Sequence, residues 1–173
     1  MLSRYAVTLS LLAVAAVACS DSNSPTVDAQ VSALDQCDPA SFNAALGNGA
    51  CTKQGNVTLT AFNNELNSTH QVASWQFVPN NFTIRVGQAI TVTNNGGEKH
   101  TFTEVDNFGG GIVPALNSAS GNPTETPECA ALAANAMIAS GATFRTDAAM
   151  DAGVEHYQCC IHPWMRATVT VTD

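Results

Sequence analysis

Near the C-terminal end of the chain, the run Tyr157-Gln158-Cys159-Cys160-Ile161-His162-Pro163-Trp164-Met165 sets a thiol, an imidazole and a thioether at successive intervals of three residues. One tight loop can turn all three toward a common point. A thiolate with imidazole and a weak thioether suits copper in both oxidation states, because soft sulfur favours Cu(I) and imidazole holds Cu(II). A trigonal set needs a second imidazole, and His100 is the candidate, standing just after the turn Asn94-Asn95-Gly96-Gly97-Glu98-Lys99. Cys-Cys-x-His also has a reading as a zinc fragment or a disulfide cluster. Zinc sites, however, usually bring Cys-x-x-Cys or His-x-x-x-His pairs, and neither pair occurs in this chain. His70 and His156 have no partner at ligand spacing and read as ordinary surface or strand histidines.

The elements that must position these residues are mostly strands. From Val72 to Val78 the pattern alternates, and the β-branched segments Phe82 to Val86 and Ala89 to Thr93 are separated by a Gly87-Gln88 turn. His100 to Val105, Ala142 to Thr146, Val154 to Gln158 and Ala167 to Thr172 add further short strands. An antiparallel Greek-key β-sandwich accommodates them economically. Asp38-Pro39 is helix-start chemistry, with Phe42 and Leu46 on one face, and Thr60 to Ser68 carries Phe62 and Leu66 four apart, so two short helices are expected before the strands. Between Asp106 and Gly141 the strand pattern stops. Thr126-Pro127-Glu128 opens a helix there, and the Ala-rich run from Cys129 continues it to about Ala139.

The residues from Val72 to Thr93, with Trp75-Gln76-Phe77-Val78-Pro79 and Val86-Gly87-Gln88, together with His100 and Tyr157 to Val171, resemble the plastocyanin and amicyanin family of blue copper proteins. Cys159-x-x-His162-Pro163-x-Met165 is similar to the short ligand loop of amicyanin. The resemblance implies an all-β Greek-key β-sandwich of the cupredoxin superfamily, with a short inserted helix between the first copper His and the ligand loop. It implies one copper ion held by His100, Cys159, His162 and Met165. Less than half the chain carries the likeness, and residues 36–71 and 106–141 lie outside it. Two departures matter. Thr101 stands where the family often has an Asn that ties the two ligand loops, so a weaker tie is expected. Ile161 replaces a Pro, which leaves a backbone N–H free to point at the Cys159 sulfur, favour Cu(I) and raise the potential.

Residues 1–18 read as a signal peptide: Arg4 is the positive n-region, Ala6 to Ala15 the apolar stretch and Ala16-Val17-Ala18 the cleavage site. Cys19 follows directly, and its setting resembles a lipobox that would make it the lipid anchor. Ordinary cleavage leaving a free Cys19 is the alternative. Residues 19–35 are polar and small and read as a flexible tether, with the folded domain spanning 36–173 and an insertion at about 106–141. An exported, periplasmic or cell-surface protein of a bacterial membrane is expected, with membrane contact only through the lipid. With lipid on Cys19 and copper on Cys159, four cysteines remain, Cys37, Cys51, Cys129 and Cys160. They allow three connectivities. The preferred one pairs Cys37 with Cys51 and Cys129 with Cys160, which would block a vicinal Cys159-Cys160 bridge.

Six basic against fourteen acidic residues give a formal charge of −8, which leaves nothing to neutralise a run of nucleic-acid phosphates. Together these features imply a monomeric electron carrier cycling Cu(II)/Cu(I) and no enzyme. Partner proteins would dock at an exposed edge of His162 among Ile161, Pro163 and Trp164, with Phe108, Ile112, Val113 and Pro114 as its rim. A copper enzyme would need a second metal site, for which only His70 and His156 remain. A copper-storage lipoprotein or a non-redox cupredoxin binding module would use the same ligands and stays open.

Overall fold

The computed structural model describes residues 27–133 and 135–173. The leader and Cys19 lie outside the described residues. The chain runs β1 (Ala29–Leu34), α1 (Pro39–Leu46), α2 (Leu59–Thr69), β2 (Gln76–Val78), β3 (Asn81–Arg85), β4 (Ile90–Asn94), β5 (Thr103–Val105), α3 (Pro114–Ala119), α4 (Pro127–Ala130), β6 (Thr143–Arg145), β7 (Gly153–Gln158) and β8 (Arg166–Thr172). Two four-stranded sheets, ordered β2-β1-β4-β6 and β3-β8-β7-β5, make a β-sandwich. The period-two pattern decides which residues line it. Ile90 and Val92 of β4 point inward, as do Ala167, Val169 and Val171 of β8. Between the sheets Phe77 meets Phe102 edge-on at 4.9 Å, and Phe102 stacks on Tyr157 at 4.4 Å.

Both sheets are mixed rather than antiparallel. β1 runs parallel to β4, and β3 runs parallel to β8. The tether expected to reach residue 35 is a second correction, since its last part is β1, with Val31 and Ala33 buried. Its core face consists of Ala29, Val31 and Ala33, too small and too few to stand out by hydropathy. Pairing with β2 and β4 on both sides supplies the order that its own side chains do not advertise.

The first two helices form where their caps stand. Asp38 accepts from the N–H groups of Ala40 and Ser41 at the start of α1, and Thr58 accepts from Ala61 N–H at the start of α2. Their apolar stripes bury Phe42, Phe62 and Leu66 in the core, with both phenyl rings against Trp75. The helix expected from Thr126 to Ala139 is only four residues long. Thr126 caps it as expected, but it ends at Ala130. Downstream, Ile138 instead exchanges backbone hydrogen bonds with His100, at 2.8 Å and 3.1 Å. Tertiary pairing overrides the helix propensity of alanine here.

Candidate metal centre

The two expected disulfides are present, Cys37–Cys51 and Cys129–Cys160, and Cys159 is a free, fully buried thiol. The second bridge ties α4 to the residue beside that thiol. The expected ligand loop then folds back on itself, with Cys159 N–H donating to Met165 O at 3.0 Å and Met165 N–H to His162 O at 2.8 Å. This closure brings His162 beside Cys159. His100 arrives from the other side, held in extended backbone by its bridge to Ile138.

His100, Cys159 and His162 thereby offer ligand atoms that all lie within 4.8 Å of one another, and all three are buried. The Cys159 sulfur is 3.9 Å from His100 Nδ1 and 3.8 Å from His162 Nδ1. Bonds of ~2.0 Å to nitrogen and ~2.3 Å to sulfur, opened to a trigonal angle, set such atoms about 3.7 Å apart. Both sulfur–nitrogen separations are close to that spacing, and a thiol with two imidazoles is a donor set suited to a metal ion. Among the described residues no fourth His, Cys, Asp or Glu joins the group, as a structural zinc site would require. Met165, the expected fourth ligand, is fully buried on the same loop.

The far nitrogens of both imidazoles face carboxylates. His100 Nε2 is 2.9 Å from Asp35, with both side chains fully buried, and His162 Nε2 is 3.5 Å from Glu98, an ion-pair contact. Asp35 also accepts from the N–H groups of Cys37, Gly97 and Glu98, at 3.2, 2.9 and 3.0 Å. Burial would push its carboxyl up, but His100 and the N–H groups of Gly97 and Glu98 prevail and hold it at about 2. Burial likewise opposes the charged forms at the centre. The Cys159 thiol is nevertheless held well below its ordinary value by the two imidazoles, and His162 is raised to about 10 by the sulfur and Glu98.

The expectations drawn from Thr101 and Ile161 are both revised. Thr101 Oγ1 accepts from Cys160 N–H at 2.8 Å, so it ties the two ligand loops as directly as an Asn would. Its own N–H donates to the Cys159 sulfur at 3.4 Å. Thr101 supplies the backbone hydrogen bond seen at that sulfur among the described residues, and Ile161 supplies none. His162 is not an exposed edge either. It is 2% exposed, enclosed by Glu98, by Trp164 with ring centroids 5.4 Å apart, and by Phe62 at 6.5 Å. Helix α2 brings Phe62, and this closed cover was invisible in a ligand motif. His70 and His156 stay outside the centre, as expected, with His70 bonded to Ala119 O and His156 packed on Phe108.

Asp35 and Glu98 are the residues sequence reasoning missed. A signal existed for Asp35: it continues by period two the buried face of Val31 and Ala33, where a carboxylate is out of place unless it serves a partner. Gly96 and Gly97 do more than make the turn. A Cβ at Gly96 would fall on the Asp35 carboxylate, and one at Gly97 would lie 2.6 Å from the Cys37 sulfur.

No protein-family model and no curated protein matches the chain. Among solved structures it is similar to a purple cupredoxin from Nitrosopumilus maritimus, at 20% identity over 84% of this chain and 100% of that one, with a TM-score of 0.47. Plastocyanin from Dryopteris crassirhizoma is 18% identical over 83% of this chain and 100% of its own, with a TM-score of 0.42. A variant of amicyanin in its Cu(I) form is 17% identical over 58% of this chain and 77% of its own, with a TM-score of 0.39.

Proposed function

We propose that the chain is a type 1 copper protein that carries single electrons between redox partners, with His100, Cys159 and His162 as equatorial ligands and Met165 as the weak axial one. The observation that carries this reading is the convergence of two imidazole Nδ1 atoms on one free thiol, at 3.9 and 3.8 Å from its sulfur, with all three residues buried. Bound there, copper would supply a one-electron Cu(II)/Cu(I) couple. The chain's own contribution is rigidity. Thr101 holds the thiolate through its N–H and the ligand loop through its hydroxyl, so neither loop has to move when charge changes. Burial excludes water, and thus a substrate, from the centre, which suits a carrier better than an enzyme.

With the imidazole of His162 covered, Trp164 is the aromatic group on that histidine that reaches solvent, being half-buried. A partner docking over Trp164 and Ile161 would come within one aromatic ring of the ligand. The two disulfides suit an oxidising compartment and so support export, while the lipid anchor at Cys19 is proposed from its lipobox-like setting alone.

The deciding experiment is titration of the protein with one equivalent of Cu(II), followed by visible and EPR spectra. An intense thiolate-to-copper charge-transfer band with narrow parallel hyperfine splitting is expected, both lost in Cys159→Ser. A pale spectrum with wide splitting from the wild-type protein would sink the reading.

A further inference from the structure

Resting on that reading, we infer that Asp35 and Glu98 form one carboxylate brace, a pair of positioning residues that lock both imidazoles with Nδ1 inward and bias the centre toward the more highly charged ion, Cu(II). Both histidines show the same arrangement: Nδ1 toward the thiol, Nε2 toward a carboxylate. Asp35 is central because its two oxygens also take the N–H groups of Gly97 and Glu98, which fixes the backbone from which the Glu98 side chain reaches His162. The far end is pinned as well, since Trp75 Nε1–H donates to Glu98 at 2.7 Å.

The strand that delivers Asp35 is itself clamped to this turn, Asn95 N–H donating to Ala33 O at 2.9 Å. The turn is held from other sides too: Thr52 N–H donates to Gly97 O at 2.9 Å, and Asn94 Nδ2 donates to Glu98 O at 2.7 Å and to Ile138 O at 2.8 Å. Asp35 thus carries a restraint from the strand entering the sandwich to both ligand histidines. A carboxylate on the far nitrogen fixes the tautomer and makes the imidazole a stronger donor. Two such charges beside the thiolate favour Cu(II) over Cu(I), because interaction with fixed negative charge grows with the charge on the ion and is strong where water is excluded.

The test compares the wild type with Glu98→Gln and Asp35→Asn in the copper-loaded protein, by spectroelectrochemical titration. Glu98→Gln keeps an acceptor for Trp75 and removes only the charge, and the side chain is 12% exposed, so this variant folds even where Asp35→Asn fails to. The preference for Cu(II) over Cu(I) is expected to fall at least tenfold in Glu98→Gln, a rise of ~59 mV for one electron. A Glu98→Gln protein that keeps its charge-transfer band and stays within threefold of the wild-type preference overturns the inference, whatever Asp35→Asn does. If the wild type forms no charge-transfer band, Co(II) affinity by optical titration decides instead. A loss of about 10-fold or more in Glu98→Gln supports the brace, and an unchanged affinity overturns it.

Discussion

Thr101 shows how one side chain can substitute for another of different length. Its hydroxyl reaches Cys160 N–H, a buried donor, and its backbone N–H reaches the Cys159 sulfur. Replacing it with Val keeps the shape and the N–H···S bond but strands the Cys160 donor. Thr101→Val is therefore expected to lose about 1–3 kcal/mol in denaturant unfolding of the apoprotein, while Thr101→Ser stays near the wild type. Equal stability of Val and Ser would show that the loop tie carries no weight. At this scale the cluster of His100, Cys159 and His162 was legible in the chain, because Cys159 and His162 stand three residues apart and their spacing is a property of one loop. Asp35 and Glu98 were not legible, because their roles depend on histidines far along the chain, and no local pattern encodes such contacts.

Among the elements, the helical excursion between β1 and β2 has the clearest structural task. Phe62 of α2 lies 4.9 Å from Trp75, 5.7 Å from Phe42 and 5.8 Å from Trp164, so it joins the helix pair to the ligand loop. Phe62→Ala is expected to cost about 3–5 kcal/mol in unfolding free energy, since the rings around it belong to three separate segments and cannot all collapse inward. A loss below about 1 kcal/mol would mean that the cover is loosely packed. The helices were readable from their caps and four-residue spacing, but what they cover was not. The opposite error occurred in the insertion, where Ala-rich sequence promised a long helix and the His100–Ile138 bridge took the chain instead. Parallel pairing of β1 with β4 was equally hidden, because alternation identifies a face and says nothing about direction.

For the whole molecule, a formal charge of −8 on 173 residues creates a field that acts on every charged reactant approaching the enclosed centre. Stopped-flow oxidation of the reduced copper protein by a cationic outer-sphere complex should be faster than by an anionic one of equal driving force. Added salt should narrow the gap, because screening shortens the reach of the field to about 10 Å at 0.1 M. Trp164→Glu should widen it if exchange occurs at that face. Rates insensitive to both salt and probe charge would place electron exchange away from the protein's field and away from Trp164. The sandwich itself was legible from its alternating strands, whereas the closure of the end that carries His100, Cys159 and His162 required three dimensions to see.

That closure changes how an ion would come and go. With His100, Cys159 and Met165 fully buried and His162 nearly so, there is no exposed donor from which a chelator can peel the metal step by step. Departure would wait for the cover to open, and the dwell time of the ion would follow the opening equilibrium of α2 and the ligand loop rather than the strength of any metal–ligand bond. Affinity and exchange rate would then be separable quantities in this protein, the first written in the donors and the second in the packing of Phe62 and Trp164 above them.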